Sequence, residues 1–544
     1  MFFKKLTNNI LFFIFVITVG VTSTNLVSQR IPIEMDEYIQ YLTLGCTYFN
    51  NMPKGYQIDN DFCNVFQLSI LRNIFDNSPY LPLRSWSYVG SIQNLFYLPI
   101  CFFWKSIFSV RLLGFITIGI QAIFIQKIFN FNKYISFLFL LIFLQYSAQH
   151  IFDLGQLSFL CTAIFIIYYL ILKIFRTCSS KKIYHYSVIL GLICFLCIAI
   201  RLNATFFFPS IFILILYFFI KEFFNSAIKY KFYFHMKKLI LGLTFAFFSF
   251  LIPTILLLTA IDKKGNYYYN VIISNTPKGA FFNIKDAFTH FNHSLLKYLL
   301  NPTETISPEI LVPNENLDIL LTILNWLPLI MLICFFMFSR KICFKYKIHV
   351  FLLLIVSFLS LYTASASPRS WNMHHLVFAY PFLILSILYI LKIKSKVHLT
   401  VTYLFLILFF LSQSCIIYQF MQKPPRRQID KNLPNLINVL DKYFGKNSII
   451  IHSEWGSCFV NYTHGNKNQI VSYYEGYPYD NLIRQYLTLA QNTNRNILIV
   501  GNNMGNRTKA YLDYFKHFNY TSIKFKDPEK LLGDYTINYI KINL

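Results

Sequence analysis

The chain runs again and again for roughly twenty residues with almost no charge and without the polar stripe that a water-facing helix carries. A backbone in hydrocarbon has to satisfy its own hydrogen bonds, and a continuous apolar run of this length does so as a membrane-crossing helix. The runs lie at residues 10–27, 108–128, 134–147, 154–172, 186–200, 204–220, 239–260, 317–338, 348–362, 376–391 and 397–418. Composition agrees: 56% hydrophobic and 13% charged excludes a disordered chain, a collagen-like fibre and an ordinary soluble enzyme. The expected fold class is an α-helical polytopic membrane protein with about 11 transmembrane helices, interfacial helices in the first outer loop and a small C-terminal α/β soluble domain.

Charge orients the spans. The net charge of +26, from 49 basic and 23 acidic residues, would suggest nucleic acid in a soluble protein. In a membrane protein Lys and Arg collect in cytoplasmic loops, so no nucleic-acid partner is expected. Residues 88–104 are apolar but contain Gly90, Gln93, Asn94 and Pro99. If this segment stays in the outer interface, one side of the membrane holds Lys4, Lys5, Lys127, Lys133, Lys173, Arg176, Lys181, Lys182, Lys221, Lys237, Lys238, Arg340, Lys341 and Lys392, with Glu222 as its sole acid. If it crosses, every later loop inverts and breaks the charge rule. The N-terminus is therefore expected in the cytoplasm, and residues 28–107, 261–316 and 419–544 outside.

The composition shifts after Lys423-Pro424-Pro425-Arg426-Arg427. Strand-like 448–452 and 496–500 alternate with helix-like 433–444, 480–492 and 507–518, which predicts a soluble α/β domain. The domain reading is thus 1–420 transmembrane and 421–544 extracytoplasmic. No internal repeat suggests a transporter built from inverted halves.

Several outer residues can carry chemistry. Asp36 and Glu37 follow the first span; adjacent carboxylates bind a divalent cation or act as a general base, and equally suit a solvated loop or a helix N-terminus. Asp153 sits in a very short outer turn, where it is costly to bury and also able to cap the next helix. Arg369, His374 and His375 occupy a later outer turn: Arg grips phosphate through paired N–H donors, and Trp371 with Arg369 also suits interfacial anchoring. Arg84, Arg111 and Arg201 lie near outer span ends, placed to meet an anionic head group or to snorkel to the interface. His290 and His293 are weaker candidates. Cys194 and Cys197 form a CxxC inside an apolar run without partner ligands. The turn Gly501–Asn506 lacks GxGxxG spacing and reads as an ordinary strand-to-helix turn.

Over roughly residues 1–420 this arrangement resembles the GT-C superfamily of membrane glycosyltransferases. It is nearest to the bacterial relatives of protein O-mannosyltransferases and of the aminoarabinose transferase that modifies lipid A. Asp36-Glu37 resembles that family's acidic pair in the first outer loop. Gly90-Ser91-Ile92-Gln93-Asn94-Leu95-Phe96-Tyr97-Leu98-Pro99, followed by Ser109-Val110-Arg111-Leu112, resembles its interfacial helix and the Arg opening the second span. Asp153 matches an acid in the second outer turn, Arg201 a basic residue after the fifth span, and Arg369 with His374-His375 and Tyr380-Pro381 a turn before a late span.

The resemblance implies a polyprenyl-phosphate sugar as donor, used on the extracytoplasmic face, with a lipid, glycan or protein acceptor and contact with membrane lipids. It implies Asp36 as general base or metal partner, with Glu37 and Asp153 in support. A divalent cation (Mg, Mn or Zn) would meet Asp36 and Asp153. Arg369, His374, His375, Arg201 and Arg84 would hold the donor phosphate. No WWDYG-like motif is present, which argues against an oligosaccharyltransferase catalytic subunit. Competing readings are a transporter or flippase of lipid-linked sugars, a polysaccharide polymerase or ligase, and an assembly scaffold. The abundance of Lys, Asn, Ile and Phe points to an AT-rich genome and a bacterial inner membrane, with the C-terminal domain periplasmic or extracellular.

Overall fold

A computed structural model describes residues 107–130, 156–177, 179–226, 232–261, 344–365, 379–392, 433–444, 448–453, 470–473, 478–502, 506–533 and 535–541, with short strands at 65–67 and 80–82 and a few single positions. The expected spans at 10–27, 134–147, 317–338 and 397–418, and the interfacial segment 88–104, lie outside the described residues apart from such single positions. The chain divides into two compact units, one containing residues 87–426 and the other residues 32–86 and 427–544.

The described part of the first unit is a helical bundle. It comprises α1 (Ile107–Ile128), α2 (Gln156–Arg176), α3 (Ser180–Ile200), a 3₁₀ segment (Leu202–Phe207), α4 (Phe208–Ser226), α5 (Phe232–Ile261), α6 (Phe344–Ser365) and α7 (Tyr380–Leu391). The stretches Phe159–Arg176, Ser180–Ile200, Ala204–Phe224 and Met236–Leu257 are long and apolar enough to cross a membrane. Phe247, Phe248, Ile252, Ile255 and Leu256 of α5 are exposed, as on a surface whose solvent is lipid rather than water. The chain is an integral membrane protein.

Lipid tails give no hydrophobic force between apolar helices, so close backbone approach and shared hydrogen bonds join them. α3 and α5 cross at small residues. A Cβ at Gly191 would stand 2.0 Å from Ser249 Oγ and 2.2 Å from the Ala246 carbonyl oxygen, and one at Gly242 would meet Ile183 at 2.7 Å. Ser249 also donates to the Val188 carbonyl across this crossing, at 3.2 Å. α1 and α2 are joined where Gln121 Nε2 donates to Thr162 Oγ1 at 3.0 Å. α4 and α6 are joined where Ser210 Oγ donates to the Val356 carbonyl at 2.7 Å and lies 2.6 Å from Ser360 Oγ.

These contacts also fix helix polarity. Tyr168 near the end of α2 shares a 2.6 Å hydrogen bond with His349 near the start of α6, and reaches the Tyr389 hydroxyl near the end of α7 at 3.3 Å. The rings of Tyr217 and Phe218 on α4 lie against the His349 ring. The Phe129 ring just past α1 meets the Tyr389 ring, so the ends of α1, α2, α4 and α7 and the start of α6 share one end of the bundle, with Lys127, Lys173, Arg176 and Lys221 in those helices and Lys392 capping α7. Sequence reasoning placed these basic residues on one side from charge alone; the packing brings the helix ends that carry them together. The Tyr168–His349–Tyr389 cluster was not anticipated. Its signal is a lone His in an apolar run, and the partners lie 181 and 221 positions apart.

In the second unit, β1 (Val65–Gln67) and β2 (Tyr80–Pro82) pair antiparallel. The C-terminal part comprises α8 (Leu433–Phe444), β3 (Ser448–His452), β4 (Ile470–Tyr473), α9 (Asp480–Thr493), β5 (Asn496–Asn502), α10 (Asn506–His517), β6 (Thr521–Lys524) and β7 (Tyr535–Lys541). The sheet runs β4-β3-β5-β7-β6, parallel among β4, β3 and β5 and antiparallel at β7 and β6. Side chains alternate faces along a strand. Ile450, Leu498 and Val500 accordingly pack with α8, while Ile449, Ile451, Ile497 and Ile499 pack with α9 and α10, which makes a three-layer α/β/α sandwich.

His452 closes β3 and is fully buried, and burial pushes its imidazole down to about 3. The unfolded chain takes up a proton near pH 6.5 that the native imidazole refuses until about pH 3. The stability contributed by neutral His452 is thus complete above pH 6.5 and falls as pH drops through that window, by roughly 1.4 kcal/mol per pH unit. Pulse proteolysis of the tail in the full-length protein is expected to show a loss of roughly 2–3 kcal/mol between pH 6.5 and 4.5 that His452→Gln lacks.

Candidate functional site

Arg201 marks the end of the bundle opposite the basic one. α3 starts beside Lys181 and Lys182 and runs 21 residues, roughly 30 Å, before it stops at Arg201. Arg201 leaves the helix with extended backbone, φ −159° and ψ 125°, and its N–H still donates to the Cys197 carbonyl at 3.0 Å. The chain then tightens into the 3₁₀ segment, where the Ala204 N–H donates to the Arg201 carbonyl at 3.0 Å. Thr363 near the end of α6 hydrogen-bonds the Phe206 carbonyl and so ties this segment to α6. Arg201 is 5% exposed.

A guanidinium buried at a membrane boundary is costly unless anions or polar groups meet it. Its planar set of five N–H donors suits a phosphate.

The described helices set what chain connectivity brings here. Arg369, His374 and His375 belong to the connection that leaves α6 at Ser365, two residues beyond Thr363, and enters α7 at Tyr380. The Ser357 hydroxyl donates to the Ala379 carbonyl at 2.8 Å, so this connection re-enters the bundle about two helical turns short of the α6 terminus. Asp153 stands three residues before the start of α2, and Arg111 belongs to the first turns of α1. The side chains of Asp36, Glu37, Arg84, Asp153, Arg369, His374 and His375 lie outside the described residues, as do His290 and His293; of Arg111 only the backbone is described. Of the expected phosphate-holding set, Arg201 is described in full.

Among the described residues no group of three or more His, Cys, Asp or Glu could hold a metal ion. Cys194 and Cys197 are both free thiols within α3. In the tail, Gly501, next to last in β5, lies against Ser453 and Thr508, whose hydroxyls lie 2.7 Å apart; a Cβ at Gly501 would stand 1.8 Å from Ser453 Oγ. The turn after β5 thus has a packing reason for its glycine.

No protein-family model matches the chain, and no curated protein matches it by sequence. Among solved structures, the crystal structure of ArnT from Cupriavidus metallidurans bound to undecaprenyl phosphate is similar over 98% of this chain and 98% of that one, with TM-score 0.51 and 9% identity. The apo form of the same protein covers 98% of each chain at TM-score 0.47 and 9% identity. ArnT is an aminoarabinose lipid A transferase of the GT-C type, and the likeness is one of fold. The fold likeness agrees with the resemblance expected from sequence.

Proposed function

We propose that this protein is an integral membrane glycosyltransferase that moves a sugar from a polyprenyl-phosphate donor to an acceptor on the extracytoplasmic face. The observation that carries the reading is the buried Arg201 at the non-basic end of the bundle, in a fold shared with a structure that holds undecaprenyl phosphate. A polyprenyl chain cannot leave the bilayer, so its phosphate must be met at a helix end. By the charge rule that end faces away from the cytoplasm, the basic end faces inward, and a bacterial inner membrane is the expected setting.

In this reading the bond between the donor sugar's anomeric carbon and the phosphate oxygen breaks as an acceptor oxygen bonds to that carbon. The acceptor's proton passes to Asp36, and polyprenyl phosphate leaves with the electron pair of the broken bond. Arg201, with Arg369, His374, His375 and Arg84, meets the growing negative charge on the phosphate, where preorganised donors act most strongly. Glu37 and Asp153 support Asp36, and would share a divalent cation with it. Such an ion would supply further charge for the phosphate. The acceptor is a lipid, a glycan or a protein.

Mass spectrometry of lipid extracts tests this in an intact strain, a deletion strain, and a deletion strain carrying Arg201→Gln. One polyprenyl-phosphate sugar is expected to accumulate in both altered strains, with the Arg201→Gln protein present in the membrane at normal amounts. Deletion without any accumulation would sink the transferase reading.

A further inference from the structure

The basic end of the bundle holds a pair of lysines that the proposed sugar transfer does not use. Lys127, in the last turn of α1, lies over the Phe124 ring at 5.0 Å and the Tyr169 ring at 5.8 Å. Lys173, in the last turn of α2, lies over the same Tyr169 ring at 5.4 Å. Phe124 and Tyr169 meet edge to face with centroids 5.5 Å apart, so the two helices build one aromatic floor for two cations. Both lysines are half-buried. Among the described residues neither has a carboxylate partner. Two ammonium groups drawn to one ring repel each other, and an anion between or beside them removes that cost. Complementing the helix C-terminal dipoles explains a lysine in each last turn. It does not explain why lysines of two different helices converge on a single tyrosine.

The surface below the pair identifies the anion. Ile116, Gly119, Ile123 and Lys127 follow one another along one stripe of α1 at helical spacing. Ile116 and Ile123 are 40% and 42% exposed, and a Cβ at Gly119 would meet nothing within 4 Å among the described residues. An apolar track therefore runs along α1 and ends at the cationic pair. That matches a molecule with an acyl chain and a charged head, not a free ion. We propose that Lys127, Lys173 and Tyr169 form a binding site for the phosphate of an anionic phospholipid in the leaflet at the basic end, with the Ile116–Gly119–Ile123 stripe receiving its acyl chain.

Native mass spectrometry of the full-length protein in detergent tests the site, with phosphatidylglycerol, phosphatidylcholine and inorganic phosphate as probes. The unaltered protein is expected to retain phosphatidylglycerol in preference to phosphatidylcholine. The double variant Lys127→Gln/Lys173→Gln is expected to lose roughly tenfold or more of that retention, from about fivefold per lysine near an anionic surface. Lys237→Gln/Lys238→Gln removes the same charge from the same end, away from the ring pair, and is expected to change little. Tyr169→Phe keeps the ring and should bind as the unaltered protein does. Gly119→Leu fills the track and should weaken phosphatidylglycerol retention with the lysines intact. Equal losses in the two double-lysine variants would reduce the site to general surface charge and overturn it. Undiminished retention in Lys127→Gln/Lys173→Gln, or displacement of the lipid by millimolar inorganic phosphate, would overturn it as well.

Discussion

Asp36→Asn is expected to slow sugar transfer by roughly 10²–10⁴-fold while the protein still reaches the membrane and still binds the donor. The substitution keeps the shape of the side chain and removes its ability to take a proton. An acceptor hydroxyl attacking the anomeric carbon becomes strongly acidic as the bond forms, and without a base its proton has nowhere to go at neutral pH. In the proposed mechanism donor binding rests on phosphate contacts from Arg201 and the 369–375 turn, so KM for the lipid-linked sugar should move far less than kcat. Arg201→Gln should show the opposite weighting, because the cation meets phosphate in the bound donor as well as in the transition state. The check is a transfer assay with a lipid-linked donor, read as kcat and KM for the two variants. Full activity in Asp36→Asn would remove Asp36 from the base role and leave the donor-phosphate assignments standing.

Gly191→Leu is expected to cost the bundle several kcal/mol, at or above the roughly 1–3 kcal/mol typical of an overpacked core. The added side chain meets backbone: the Ala246 carbonyl lies 2.2 Å from the Cβ position, and Ser249 Oγ, already bonded to the Ala246 and Val188 carbonyls, lies at 2.0 Å. Neither can swing aside as the tip of a long side chain would, so α3 and α5 must separate. Arg201 follows ten residues later on α3, and the transfer rate should fall with stability. Gly191→Ala should give a smaller loss in the same direction. Gly119→Leu on the open stripe of α1 is the contrast, expected to leave the melting temperature nearly unchanged. Thermal unfolding followed by size-exclusion chromatography separates the three.

Apolar runs located the helices well because insertion in a bilayer is decided by length and hydropathy. The run 108–128 is α1 within one residue, and 204–220 falls inside the 3₁₀ segment and α4. Polar first turns hid the true starts of others. α3 begins at Ser180 rather than 186, since Lys181, Lys182 and His185 depress hydropathy without breaking the helix; the Ile183 N–H donates to the Ser179 carbonyl. α5 begins at Phe232 rather than 239 for the same reason, with Lys237 and Lys238 inside it. In the tail, α8 and β3 agree with the sequence reading, while β4, β6 and β7 were not anticipated. β4 is four residues long, β6 is exposed at every residue, and β7 buries the polar Thr536 and Asn538 beside Ile537, so none carries a strong apolar pattern. For the site, Arg201 was legible because a cation interrupting two apolar runs is expensive. The Tyr168–His349–Tyr389 cluster and the Lys127–Tyr169–Lys173 arrangement were not, because each is assembled from helices far apart in sequence.

The basic end has a bearing on biogenesis. Lys127, the Lys173–Arg176 and Lys181–Lys182 groups, Lys221, the Lys237–Lys238 pair, Lys347 and Lys392 label the same end of seven successive described helices. Under the charge rule each label is expected to hold its loop on the side where synthesis occurs. Insertion is then protected like a message sent with redundant copies: a helix that enters the wrong way round is contradicted by both neighbours, and losing one cluster leaves the reading frame of ins and outs intact.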